Sequence, residues 1–152
     1  MSTAAGVTAN VNGMEMPHKP IELSISLPHN PGTRIYLHLT ALATSIVLFV
    51  TSASIEAGQG GAAMGSLVYA MPDRYNPNQP LSTAMYSSPT SLDFATRLAK
   101  LLTRRTQKLC YVGSSMNLSG GAGGGTVEEE MEAFRAIVDV VVSEVSKSTN
   151  HE

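Results

Sequence analysis

The residues best suited to chemistry form a glycine-rich segment, 119–125, between a predicted strand and a predicted helix. Backbone amides of such a loop can wrap around a phosphate, and the helix dipole behind it favours an anion. Gly120 and Gly125-Thr126 have the spacing of a phosphate-binding loop, although no lysine stands before Thr126. The loop Gly120–Thr126 therefore leaves a small nucleotide- or phosphate-binding domain open as an alternative function.

Three consecutive glutamates argue against a bound anion at this loop. Glu128, Glu129 and Glu130 would occupy the first turn of the helix. There each would repel an anion by about 1 kcal/mol at short range in water. Thr126 and Glu129 instead have the spacing of a capping box, which is a signal for the start of a helix. We expect a capped connector here and no cofactor.

The other residues capable of acid–base or nucleophilic chemistry are dispersed along the chain. His18, His29 and His151 fall in a predicted tail, a predicted turn and the C-terminus, and only His38 falls in a strand. The single cysteine, Cys110, lies in an apolar strand, where a small buried hydrophobic side chain is expected. No spacing of cysteine and histidine suits zinc. The sequence therefore predicts no catalytic residue, no metal site and no enzyme.

The composition is typical of one folded domain with part of its surface covered. The chain has 152 residues, of which 43% are apolar and only 14% are charged. Soluble domains usually carry about 25% charged residues, so the shortfall suggests a partner. The net charge of −2 lacks the basic excess that binding to a phosphate backbone requires, which argues against nucleic acid.

No segment of the sequence is typical of export or of membrane insertion. Residues 1–13 lack the charged start and the apolar core of a secretory signal. The longest unbroken apolar run, Ile46–Val50, is far shorter than the roughly 20 residues that span a bilayer. We expect no membrane contact and a cytoplasmic protein, with the nucleus as a second location.

An amphipathic helix that passes directly into an apolar strand organises the rest of the chain. Ser91 is placed to cap the N-terminus of this helix with its side-chain oxygen. Apolar residues then recur every three or four positions, as one face of a helix requires, at Leu92, Ala95, Leu98, Ala99 and Leu102. The segment Leu109–Met116 is typical of the strand that follows.

Alternating apolar and polar residues predict five further strands, separated by turns rich in glycine or proline. In chain order these strands cover residues 21–27, 33–40, 44–53, 66–71 and 81–86. A second helix is predicted from Val127 to about Lys147. We expect residues 1–19 to be a disordered N-terminal tail, residues 20–147 to form one α+β domain, and residues 148–152 to be a C-terminal tail.

The third predicted strand is apolar on both of its faces, because alternation sends one apolar set of residues 46–50 to each side. Such a strand needs cover on both faces. Two helices cover about one face of a sheet of five or six strands. The second face, with Tyr36, Val47, Phe49 and Val68, is therefore expected to lie open until a partner covers it. The alternative is that the hairpin or the N-terminal tail folds over this face.

The order of the elements and several short segments resemble the proteasome assembly chaperone 4 family. The segments that carry the resemblance are Ala70-Met71, Arg74-Tyr75, Pro80-Leu81-Ser82-Thr83, Leu98-Ala99-Lys100, Arg104-Arg105-Thr106-Gln107-Lys108, Asn117-Leu118 and Glu129-Glu130-Met131-Glu132-Ala133-Phe134. The long N-terminal tail and the glycine tracts at 54–65 and 119–125 depart from the family pattern.

This resemblance implies a six-stranded antiparallel β-sheet with two α-helices packed on it. It also implies a non-enzymatic chaperone that heterodimerises with a chaperone 3-type subunit. The pair would bind proteasome α-type subunits and promote assembly of the α-ring of the core particle. On this interpretation the open sheet face forms the heterodimer, through Tyr36, Val47, Phe49 and Val68.

A basic stripe on the first helix is a second candidate surface. It consists of Arg97, Lys100 and Arg104, which we expect to contact an acidic surface of an α-type subunit. The alternative is that the stripe is an ordinary solvated helix face. For the whole chain, a dimeric scaffold subunit of another complex is a further alternative, which shares the fold and differs in the partner.

Overall fold

The structure, a computed structural model, describes residues 19–54, 64–116 and 126–150 of the chain. The strands in these ranges are β1 (Ile21–Leu27), β2 (Asn30–Ala41), β3 (Ser45–Ser54), β4 (Ser66–Met71), β5 (Leu81–Tyr86) and β6 (Leu109–Ser114). The helices are α1 (Leu92–Thr106) and α2 (Val127–Thr149). Outside the described residues lie residues 1–18 of the expected N-terminal tail, residues 55–63 and the glycine segment 119–125.

Each predicted strand and helix is present, and several boundaries differ from the sequence prediction, most of them by one or two residues. β2 begins at Asn30, because β1 and β2 form a hairpin in which Leu27 pairs directly with Asn30. α2 ends at Thr149, so Ser148 and Thr149, which were assigned to a C-terminal tail, belong to its last turn. Neither helix combines the length and the apolar character that a bilayer-spanning segment needs.

The six strands form one mixed sheet in the order β1-β2-β3-β6-β4-β5. The predicted antiparallel sheet is wrong at one position, since β3 and β6 pair in parallel while all other neighbours are antiparallel. The reason is that β4 lies two positions from β3 in the sheet, which leaves room for one strand between them. α1 then returns the chain to the end where β3 starts, so that β6 fills the gap in the same direction as β3.

Both helices pack on the same face of the sheet. α1 lies on β4, β5 and β6, while α2 lies on β1, β2 and the side of α1. The core between the layers is aliphatic, and its largest fully buried side chains include Ile35, Leu39, Ile46, Leu48, Leu98, Leu102, Ile137 and Val141. The predicted apolar stripe of α1 is confirmed at Ala95, Leu98, Ala99 and Leu102, each with no exposed surface.

The two helices begin in different ways. Thr126 caps α2 as predicted, since its side-chain oxygen accepts a hydrogen bond from the backbone N–H of Glu129 at 3.2 Å. Ser91 occupies the N-cap position of α1, but its side chain makes no cap hydrogen bond. Its hydroxyl instead shares a buried 2.8 Å hydrogen bond with the hydroxyl of Ser66, at the start of β4. The predicted cap is therefore wrong, and Ser91 ties α1 to the sheet.

Candidate interaction surfaces

The sheet face opposite the helices carries large side chains without a covering helix among the described residues. We call it the open face, and its large members are Tyr36, Val47, Phe49, Leu67, Tyr69, Met71, Leu81, Tyr86 and Tyr111. Tyr36, Phe49, Leu81 and Tyr86 expose 45%, 41%, 55% and 57% of their surface. Contiguous apolar patches of this kind on a folded domain mark binding surfaces.

Three of the four residues predicted for this face come together on it. Tyr36 lies on β2, Val47 and Phe49 lie on the adjacent β3, and the register places Phe49 opposite His38. The expected exposure of Val68 is wrong, because Val68 is 0% exposed and faces the helices. In β4 the buried positions are Ser66, Val68 and Ala70, so the neighbouring residues of that strand point to the open face.

Two tyrosines on the open face were missed by the sequence analysis. Tyr69 on β4 and Tyr111 on β6 lie directly opposite each other, with their ring centroids 4.9 Å apart. Tyr111 is also paired with Val47, so the tyrosine pair extends the predicted patch across β6. The signal that could have identified them is alternation in β4, but both alternating sets of that strand contain apolar residues, which leaves the face undetermined.

Phe49 lies flat on the sheet because the residue beside it is a glycine. A Cβ atom at Gly113 would stand 2.5 Å from Cδ1 of Phe49, closer than a real contact allows. Beside this ring the open face forms a groove of about 510 Å³, lined among others by Tyr36, His38 and Met64. Phe49 therefore helps to form a concave feature in the middle of the open face.

The groove also contains a polar atom without a partner. Nδ1 of His38 is buried and has no hydrogen-bond partner among the described residues. A buried polar atom left unsatisfied costs roughly 1–3 kcal/mol, so such atoms in native proteins usually find a partner. The imidazole of His38 lies beside Phe49, with the ring centroids 6.3 Å apart. This buried nitrogen therefore lies next to the central aromatic ring without adding an accessible hydrogen-bonding position to the open face.

The basic stripe of α1 divides into residues with internal partners and residues without them. Arg97 binds Asp93 one turn away at 3.0 Å, binds Glu130 of α2, and places its guanidinium 5.6 Å from the ring centroid of Phe134. Lys100 and Arg104 form no ion pair with another described residue. Arg97 therefore links the two helices, and Lys100 and Arg104 are the free cations of the stripe.

His38 and Cys110, the two candidates for chemistry within the strands, lie on opposite faces of the sheet. No cluster of three or more His, Cys, Asp or Glu residues within residues 19–54, 64–116 and 126–150 is placed to hold a metal. Cys110 is fully buried, burial raises the pKa of its thiol, and the thiol donates a hydrogen bond to the backbone carbonyl of Lys108 at 3.6 Å. The glycine residues of the Gly120–Thr126 loop lie outside the described ranges, and Thr126 is engaged in capping α2.

Fold and surface together define the class of protein. A mixed sheet with both helices on one face, and a large, partly aromatic surface left open on the other among the described residues, is an α+β domain. A sequence profile of the proteasome assembly chaperone 4 family matches residues 34–116, which is more than half of the chain. The chain belongs to this family. The matched residues run from β2 to the end of β6 and include most of the open face.

A solved structure supports the same fold. The chain is similar to a protein in the crystal structure of a chaperone complex for yeast 20S proteasome assembly, with a TM-score of 0.64 and 17% sequence identity. The similarity covers 86% of this chain and 99% of the yeast chain. A comparison with curated protein sequences finds no match.

Proposed function

We propose that this protein is a non-enzymatic chaperone that pairs with a chaperone 3-type subunit through its open face, and that the pair promotes assembly of the α-ring of the proteasome core particle. The observation that carries the proposal is the open face itself, with Tyr36 and Phe49 exposed by 45% and 41% at its centre. The family supplies the proteasome as the assembled complex. We propose the cytoplasm as the place of action.

Burial of the open face would supply the free energy for pairing. Complete burial of a large apolar side chain contributes roughly 1.5–3 kcal/mol, and aromatic residues add directional contacts. These contributions favour a partner that covers the middle of the sheet, around Phe49, rather than one that touches only an edge strand.

A second subunit of the same kind is the occupant that we propose for this face. The yeast relative was solved as part of a chaperone complex, and its fold is that of the present chain. Two sheets that pack face to face form a sandwich with a core about 10 Å thick. In such a sandwich the helices of each subunit remain on the outside, where they are available to a client.

The outer, helical side would then bind the α-type subunit. Lys100 and Arg104 have no ion-pair partner among the described residues and line a groove of about 580 Å³ together with Asp73, Asn78 and Gln79. Arg97 borders the same groove but is bound to Asp93 and Glu130. We therefore assign the client contact mainly to Lys100 and Arg104, with Arg97 in a positioning role.

The substitution Val47→Asp tests the pairing. It places a carboxylate between Thr40 and Tyr111 in the middle of the open face, where pairing would bury it without a counter-ion. We expect the affinity for the chaperone 3-type subunit to fall about a hundredfold or more, measured by size-exclusion chromatography of the mixed subunits and by calorimetric titration.

The matched control is Ser143→Asp, which adds the same charge at an exposed position on α2. This variant should pair as the parent chain does. Circular dichroism of both variants checks that the fold is retained. Undiminished co-purification of the chaperone 3-type subunit with a folded Val47→Asp variant would refute the open face as the pairing surface.

A further inference from the structure

A groove between the outer sides of the two helices shares Arg97 and Arg104 with the basic stripe and adds apolar side chains to them. Phe134 of α2 lines this groove and meets Phe94 of α1 edge to face, with the ring centroids 5.7 Å apart. The groove has a volume of about 540 Å³, and Leu101, Phe134 and Val138 are its apolar lining. The groove lies on the side of the helices that faces away from the sheet, so pairing through the open face leaves it accessible.

Four arginines line this groove, and three of them pair with no described carboxylate. Arg104 and Arg105 come from the last turn of α1, and Arg135 comes from α2. None of the three forms an ion pair with another described residue, and all three are exposed. In a chain with a net charge of −2, this grouping of unpaired positive charge is a local feature and not a consequence of composition.

Two nearby carboxylates of α2 are already engaged elsewhere. Glu130 binds Arg97, and Glu132 binds His29 in the β1–β2 turn at 2.8 Å. Asp139 is the one acidic residue that lines the described groove, against four arginines that line it. The positive charge of the groove is therefore not neutralised by the helix that forms its other wall.

We propose that this groove binds an acidic amphipathic helix of the client protein. An apolar floor between two helices accepts side chains spaced three or four residues apart, which is how a helix docks in a groove. Guanidinium groups along the walls form paired hydrogen bonds with carboxylates, which sets the sign of the ligand's charge. The chemistry of the ligand is inferred from the residues of the groove alone. Only the identity of the client rests on the proposed function.

The apolar floor separates this proposal from general anion binding. A free phosphate or a nucleic acid backbone would contact the arginines but would leave the partly exposed side chains of Leu101 and Phe134 uncovered. A ligand with glutamates on its flanks and leucines on one face satisfies both parts of the groove. Met131, which lines the same groove and is 46% exposed, adds an adaptable apolar contact at its edge.

The test uses two designed, fluorescein-labelled helical peptides and the full chain. The first peptide has leucines on one face and glutamates on its other faces, and the second has lysine in place of every glutamate. We expect the glutamate peptide to bind about tenfold or more tightly than the lysine peptide in fluorescence anisotropy titrations, and its binding to weaken as salt is added. Equal affinity for the two peptides would overturn the proposal.

Charge-reversal variants test whether the glutamate peptide binds in this groove. Arg105→Glu/Arg135→Glu reverses two walls of the groove and should weaken the glutamate peptide by about tenfold or more, while Lys19→Glu/Lys147→Glu makes the same charge change at exposed positions elsewhere. The control variant should bind as the parent does. Equal losses in both variants would mean that net charge alone attracts the peptide, and would overturn the proposal.

A third variant separates this inference from the proposed function. Val47→Asp changes the open face and should leave binding of the glutamate peptide unchanged. If Val47→Asp still pairs with the chaperone 3-type subunit, the proposed pairing surface fails while the groove stands. If the glutamate peptide binds no better than the lysine peptide, the groove proposal fails while the pairing surface stands.

Discussion

The two faces of the sheet differ in the kind of hydrophobic side chain they carry. The helix-covered face is aliphatic, with Ile35, Leu39 and Leu48 each at 0% exposure. The open face carries four of the chain's 5 tyrosines and one of its 3 phenylalanines. Aliphatic side chains suit a permanently dry core, whereas tyrosine tolerates water before binding and burial afterwards. The contrast separates the face that the helices close from the face that we propose binds a partner.

The same contrast occurs between neighbours in one strand. Leu48 is 0% exposed and Phe49 is 41% exposed, although they are consecutive residues of β3. Substitutions at adjacent positions should therefore separate stability from pairing. A position on the helix-covered face should change the free energy of unfolding, and a position on the open face should change the affinity for the partner.

The largest expected effect is that of Leu48→Ala on stability. The substitution leaves a cavity in the core between the sheet and the helices, and such cavities cost about 2–5 kcal/mol. We expect the free energy of unfolding, measured by urea denaturation, to fall by about 3 kcal/mol with an unchanged slope. At a temperature where the variant is folded, its affinity for the chaperone 3-type subunit should equal that of the parent chain.

A variant that loses both pairing and stability would not separate the roles of the two faces. Val68→Ala is the matched control, since Val68 is equally buried but lies on β4, away from β3. It should likewise destabilise the chain and leave pairing intact. If Val68→Ala impaired pairing in the folded protein, the helix-covered face would not be independent of the interface.

The next effect is smaller and concerns the shape of the open face. Gly113→Ala places a methyl group 2.5 Å from Cδ1 of Phe49 and 2.8 Å from Cε1, so the ring must rotate away from the strand. We expect the affinity for the chaperone 3-type subunit to fall about tenfold, because the central ring no longer presents the same surface. The free energy of unfolding should change by less than about 1 kcal/mol, since the displaced ring is solvent-exposed.

Gly32→Ala provides a control for the loss of a glycine. A Cβ atom at Gly32 would meet only Oδ1 of Asn30, at an ordinary 3.8 Å. Its affinity for the partner should not change. A Gly113→Ala variant that pairs as tightly as Gly32→Ala would show that the position of the Phe49 ring contributes nothing to the interface.

Much of the architecture follows from local patterns in the sequence, and the errors have a common physical origin. Alternation in 46–50 correctly assigned Val47 and Phe49 to the face opposite Leu48, because the distinction depends only on the pleat of one strand. Alternation in β4 could not assign Val68, since both sides of that strand are apolar. The parallel pairing of β3 and β6 depends on where α1 returns the chain, which no local pattern encodes.

The helical side shows the same limit. The spacing of Arg97, Lys100 and Arg104 correctly placed them on one helix, but it carried no information about α2. Arg97 is bound to Glu130 across the two helices, and the groove with Arg105 and Arg135 exists only because α1 and α2 lie side by side. The sequence shows these basic residues as one stripe. Tertiary contacts decide which of them form internal ion pairs and which remain free cations.

The smallest predicted effect concerns an ion pair that ties the β1–β2 turn to the helix covering its face. His29 donates a hydrogen bond from Nδ1 to Glu132 at 2.8 Å, and this bond, with the charge of Glu132, raises the pKa of His29 above 6.5. Glu129 and Glu128 act in the same direction, and desolvation opposes them. Because the pKa is higher in the folded state, the stabilisation is fully present below about pH 6.5 and is lost as pH rises through the folded pKa.

His29→Gln should therefore lower the Tm by a small amount at about pH 5.5 and leave it unchanged at about pH 8.5. Glu132→Gln removes the same ion pair from the other side, and combining the two should lower the Tm at acidic pH no further than either alone. Both Tm values are obtained by differential scanning calorimetry against the parent chain. A His29→Gln variant that is destabilised equally at both pH values would show that the turn is fastened by packing and not by the charge of the imidazolium.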